Sequence, residues 1–83
     1  MAEDSRDVAQ VRLTIDAELV DAGVDEAEIG PNAALADLGL DSLDMAQILA
    51  AIKTQHGVVL ETPDVQGLTV AQLADRVVSL RAA

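Results

Sequence analysis

Ser42 is the residue whose neighbours could make it a site of chemistry. It lies in the stretch Asp37-Leu38-Gly39-Leu40-Asp41-Ser42-Leu43-Asp44, where a conformationally permissive glycine precedes a candidate helix start. Asp41 falls where an N-cap belongs, and Asp44 follows three residues later. Two carboxylates therefore stand near the free N–H groups of the first turn. Ser42 takes the first helical position, its hydroxyl beside the positive end of the helix dipole. That end readily accepts an anion, so a phosphate ester on the hydroxyl is tolerated there, although the two aspartates oppose it.

Catalysis by the chain itself is harder to assemble, because it needs a nucleophile, base or metal in a defined geometry. The single histidine, His56, lies at the far end of the helix that Ser42 opens. Fourteen positions at about 1.5 Å each hold the two roughly 20 Å apart, which excludes a Ser-His-Asp constellation along a continuous helix. The absence of cysteine removes disulfides, thiolate metal sites and thiol nucleophiles together. No His-Glu-x-x-His pattern occurs. The acidic residues Asp25, Glu26 and Glu28 lack the Asp-x-Asp-x-Asp-Gly spacing of a calcium loop. Neither an enzyme nor a metal site is expected, and His56 reads as a partly buried capping or surface residue.

The elements that must position Ser42 are helices. Asp4 to Ala22 reads as the first, capped by Asp4 or Ser5, with Val8, Val11, Ile15, Leu19 and Ala22 on one face and Leu13 and Val20 broadening it. Gly23 suits its end. Val24 to Gly39 is a long connection broken at Gly30-Pro31-Asn32. Within it, Asn32 can cap a short turn from Ala33 to Ala36, and Leu35 and Leu38 can anchor the loop to the core, which favours an ordered loop.

The second helix runs from about Ser42 to His56 with Met45, Ile48, Leu49 and Ile52 as its apolar stripe, and Gly57 ends it. Val58-Val59-Leu60 crosses as an extended connector. Thr62 caps a short third helix with Pro63 at its first position and Val65 and Leu68 turned inward. The last helix begins at Thr69, where Gln72 completes a capping box, and its apolar residues Val70, Leu73, Val77 and Leu80 are spaced three, four and three.

Eighty-three residues allow one domain, residues 1–83. A domain of this size buries only about 60% of its unfolded surface, so its core is thin. With no Phe, Tyr or Trp, that core must be built from Ala, Val, Leu, Ile and Met. Fifteen acidic residues against five basic give a net charge of −10, which repels nucleic acid and anionic membranes. Proteins with basic patches, steered by charge, are the natural partners. No apolar run reaches membrane-spanning length, and Met1-Ala2-Glu3-Asp4 is not a signal peptide, so a cytoplasmic monomer is expected.

Leu38-Gly39-Leu40-Asp41-Ser42-Leu43 resembles the attachment motif of acyl carrier proteins, in which the serine after Asp receives 4′-phosphopantetheine. The acidic composition, the chain length, the long first loop with its Asn-Ala run and the helix opening at the motif are similar to that family too. The resemblance implies an all-α, four-helix bundle of three longer helices and one short helix, with a long loop between the first two. It implies that a phosphopantetheinyl transferase moves the arm from coenzyme A onto Ser42. The arm's thiol, which this chain cannot supply itself, then carries acyl or aminoacyl groups as thioesters. Loading enzymes, a ketosynthase or other biosynthetic enzymes would be the partners, reading Asp37, Asp41 and Asp44 as charges and Leu43 as an exposed apolar contact. Core packing is the equal alternative for Leu43.

The chain departs from fatty acid carriers in one respect. Those carriers show acidic residues along the exposed side of the second helix, where this one has Gln47, Lys53 and Thr54. An ammonium in place of a carboxylate penalises a basic partner, which favours specialised polyketide or nonribosomal peptide biosynthesis over housekeeping fatty acid synthesis. An unmodified acidic helical module, acting as an inhibitor or scaffold for a basic partner, is the rival reading and leaves the Gly39–Asp44 turn unexplained. For the core, Val8, Val11, Ile15, Leu19, Leu35, Ile48, Leu49, Ile52, Val70, Leu73 and Val77 are expected to be mostly buried.

Overall fold

Twenty residues without proline or glycine form the first helix, α1 (Ala2–Asp21), in a computed structural model that describes residues 2–82 and the side chains of residues 7–81. Val24 N–H donates to the Leu19 carbonyl and Gly23 N–H to that of Val20, both at 3.0 Å. This crossed pair is a Schellman closure, and it requires the left-handed backbone that Gly23 takes, at φ 95°. The helix begins earlier than the sequence suggests. Asp4 and Ser5 therefore lie inside it rather than at its cap, and their side chains lie outside the described residues.

Three further helices follow: α2 (Ser42–His56), α3 (Thr62–Val65) and α4 (Val70–Ala82). Short 3-10 turns at Glu26–Glu28 and Leu35–Asp37 break the long connection. Among the described residues the fold is all-helical. Its one β-type contact is an isolated antiparallel bridge between Ala34 and Thr69. Among the same residues, no helix is long and apolar enough to cross a membrane.

α1 packs most extensively against α4 and α2, while α3 lies against α2. The core between them is wholly aliphatic: Val11, Ile15 and Leu19 from α1, Met45, Ile48 and Ile52 from α2, Val65 from α3, and Val70, Leu73, Ala74 and Val77 from α4. Leu35 drops into it from the loop. Val8 and Leu49 are half-buried against its edge. The expected widening of the α1 stripe fails, and Leu80, the last residue of the α4 stripe, also stays outside the core. Leu13 is 70% exposed, Val20 43% and Leu80 44%. At 3.6 residues per turn, Leu13 lies nearly opposite Ile15, and neighbours on two sides cover only the Val11–Thr14–Ile15–Leu19 side of α1.

The long loop is held by the start of α4. A helix leaves its first N–H groups without intrahelical partners. Here Val70 N–H donates to the Ala33 carbonyl (2.9 Å) and Ala71 N–H to that of Pro31 (3.0 Å). Gln72 N–H goes to Thr69 Oγ1 (3.1 Å), while Gln72 Oε1 accepts from Thr69 N–H (2.9 Å), the expected capping box. Leu35 N–H adds a bond to the Leu68 carbonyl (3.1 Å). Asn32 consequently does not cap: a tight turn closes from Ala33 N–H to the Gly30 carbonyl (3.1 Å), and Ala34 holds the cap position of the second 3-10 turn. Thr62 is likewise already helical. Extended Glu61 takes the cap position, and Pro63 stays within the first turn, where no N–H is required.

Thr69→Ala should lower stability by about 1 kcal/mol, read as a fall in the urea midpoint. An unchanged midpoint would mean that the Pro31 and Ala33 carbonyls alone suffice to start α4.

Candidate functional site

The site is built from the loop end, the first turn of α2 and α3. Gly39 turns the chain out of the 3-10 segment with φ 72°, a conformation in which a Cβ would be strained. Asp41 follows in extended backbone as the cap of α2. Its Oδ1 accepts from Asp44 N–H at 2.7 Å, and Asp44 Oδ2 accepts from Asp41 N–H at 3.2 Å. Both carboxylates are thus committed to a reciprocal capping box. Met45 N–H reaches the Asp41 carbonyl (3.0 Å), whereas no protein group among the described residues accepts from the N–H of Ser42 or Leu43. Ser42 stands exposed at the first helical position, beside two donors without protein partners at the positive end of α2.

A cleft of about 370 Å³ opens at Ser42, lined also by the apolar Leu35, Leu40 and Met45 and by the polar Thr62 and Gln66. A second, of about 280 Å³, continues along α2 past Leu49 and Lys53 to Val59 and Leu60, and Thr62 borders both. Thr62 and Gln66 escape sequence reasoning because nothing local marks them. They reach Ser42 only because α3 folds back on α2.

Asp37, Asp41 and Leu43 are exposed around the serine, and Asp44 is half-buried. Leu43, for which core packing was the equal alternative, is 65% exposed. Burying it would require α2 to turn its outer side inward and withdraw Met45 and Ile48 from the core. Gln47, Lys53 and Thr54 are all exposed along the same helix.

His56 closes the other end of α2 and takes no part in the site. Its Nε2 lies 2.9 Å from Thr14 Oγ1, and that hydroxyl also reaches Gln55 Oε1 at 3.0 Å, so the group ties α2 to α1. Burial, and then the nearby Arg81 cation, hold the His56 pKa below its ordinary value of 6.5. The unfolded chain therefore binds this proton more readily than the folded one. The resulting stability is present above pH 6.5 and is lost as the pH falls through the folded pKa. Wild type should accordingly lose stability relative to His56→Gln when urea unfolding is repeated at successively lower pH. Parallel curves would contradict this reading.

Residues 14–77 match the phosphopantetheine attachment-site family. The chain is 39% identical over 51 residues to an acyl carrier protein of Solidesulfovibrio magneticus, covering 60% of this chain and 65% of that protein. It is 36% identical over 59 residues to the nonribosomal peptide synthetase SIDC of Beauveria bassiana, covering 71% of this chain and 1% of the synthetase. The alignments thus span less than two thirds of either relative's own length. No solved structure matches at a significant level.

Proposed function

This chain belongs to the phosphopantetheine attachment-site family of acyl carrier proteins, and we propose that Ser42 is the residue to which its 4′-phosphopantetheine is attached. Members of the family are carriers rather than enzymes, and the group is bound covalently. The observation that carries the assignment is the setting of Ser42: an exposed hydroxyl at the first position of α2, at the mouth of a cleft. It is also the only serine within the matched residues 14–77, since Ser5 and Ser79 fall outside them.

The surroundings fit the group. Ser42 and Leu43 N–H point at the start of the helix, where a phosphodiester needs donors. Asp41 and Asp44 are charges of the wrong sign for that ester, but the capping box ties one oxygen of each to the backbone. Thr62 and Gln66 offer polar side chains to an amide-bearing arm, and Leu35, Leu40 and Met45 offer an apolar wall. Bound there, the arm supplies the thiol that this cysteine-free chain lacks and holds acyl or aminoacyl groups as thioesters.

In this reading, a phosphopantetheinyl transferase and the loading and condensing enzymes meet a surface made of Asp37, Asp41, Leu43 and Asp44. The exposed Gln47, Lys53 and Thr54 favour partners of specialised metabolism, because Lys53 repels a surface built to receive carboxylates. The chain acts as a single cytoplasmic monomer, consistent with its net charge of −10.

The test is the intact mass of the protein after incubation with coenzyme A, magnesium and a broad-specificity phosphopantetheinyl transferase. A gain of one phosphopantetheine group, mapped to the peptide containing Ser42, is expected. No gain on folded protein with two unrelated transferases would overturn the assignment.

A further inference from the structure

We propose that the outer face of α1 is a docking site for an amphipathic helix of a partner protein, one that carries lysine or arginine beside its apolar side. Ala9, Leu13, Ala17 and Val20 are spaced four, four and three residues apart and are all exposed. At roughly 100° per residue they fall within roughly 80° of arc, on the side of α1 away from Val11, Ile15 and Leu19. Single exposed apolar residues are ordinary, but this is a row three turns long with no polar residue in it. Its two alanines let another helix approach closely, and Leu13 and Val20 provide the knobs.

Charge selects the occupant. Asp16 edges the row on one side and pairs with Arg12 at 3.6 Å. Asp21 edges the other side, and the loop that follows carries exposed Asp25, Glu26 and Glu28. No cation among the described residues is paired with any of these last four, and the C-terminal carbonyls of α1 add to the same negative end. The partner's basic residues therefore belong over the last turn of α1. A second copy of this chain would bring −10 against −10 and is repelled, as is an anionic bilayer.

No residue of α1 lines either cleft, so a helix docked here leaves Ser42 open. Such a site suits a partner that stays bound while others visit the serine, and it stands independently of the attachment reading.

The experiment is a titration of the isotopically labelled full chain with a synthetic amphipathic helical peptide, leucines on one face and lysines toward one end. Amide shifts should centre on Ala9, Leu13, Ala17 and Val20. Leu13→Glu and the neutral Leu13→Gln should each weaken binding by about tenfold or more. The same peptide with glutamates for lysines should bind at least about tenfold less tightly. Both variants alter an exposed helical position, and an unchanged urea midpoint confirms that they fold. Shifts centred instead on Leu43 and Val59, or an affinity indifferent to both variants, would overturn the proposal. So would a concentration-dependent dimer in sedimentation that Leu13→Glu abolishes, because the face would then belong to a second copy.

Discussion

Ser42→Ala should abolish all mass gain from coenzyme A and a phosphopantetheinyl transferase while leaving the helices and the urea midpoint within about 0.5 kcal/mol of wild type. The two halves of this expectation rest on different facts. The hydroxyl is exposed and no hydrogen bond among the described residues uses it, so its loss removes nothing that holds α2 in place. The cap of α2 belongs to Asp41 and Asp44, which the substitution leaves untouched. Chemically, however, the oxygen is the only atom at this position able to form the ester. A loss of modification accompanied by unfolding would not test the site. A retained mass gain would move the attachment elsewhere.

Leu35→Ala should have the largest effect on stability, about 2–5 kcal/mol, as expected for a leucine truncated in a packed core. Leu35 is 1% exposed although it sits in the long connection, and it belongs to the same buried cluster as the core residues of α2 and α4. A domain of this size has a total stability of roughly 4–12 kcal/mol, so the loss is a large fraction of it. The same side chain also forms a wall of the cleft at Ser42. Truncation should therefore slow phosphopantetheine transfer under conditions where the protein is still folded, because the turn through Gly39 loses its anchor. Measured by urea unfolding and by transfer rate, a cost below about 1 kcal/mol would mean that the backbone bonds of the loop to α4 hold it without Leu35.

Much of the site is legible locally. The cap, the first-turn serine and the glycine that turns the chain lie within eight consecutive residues, and the reciprocal Asp41–Asp44 bonds and the positive φ of Gly39 are set within that stretch. That is why Asp41, Asp44 and Gly39 read correctly from residue types alone. The capping box at Thr69 and Gln72 is another case. The cap assigned to Asn32 failed for a complementary reason. Its geometry is set by distant partners, because Asn32 lies in a loop whose carbonyls are drawn to the N–H groups of Val70 and Ala71 in another helix.

The sequence by itself determined the helical elements, the aliphatic core positions at three- and four-residue spacing, and Ser42 as the candidate for chemistry, because periodicity and capping act over one or two turns. Tertiary structure alone decided which apolar residues stay outside. Leu13 broadens the apolar stripe in the sequence, yet it is 70% exposed, since contact with α2 and α4 covers only the Ile15 side of α1. It decided Leu43 in the same way, turning it outward beside the serine. It also made the cleft, by bringing Thr62 and Gln66 of the α3 region against the start of α2, a long-range pairing that no local spacing encodes.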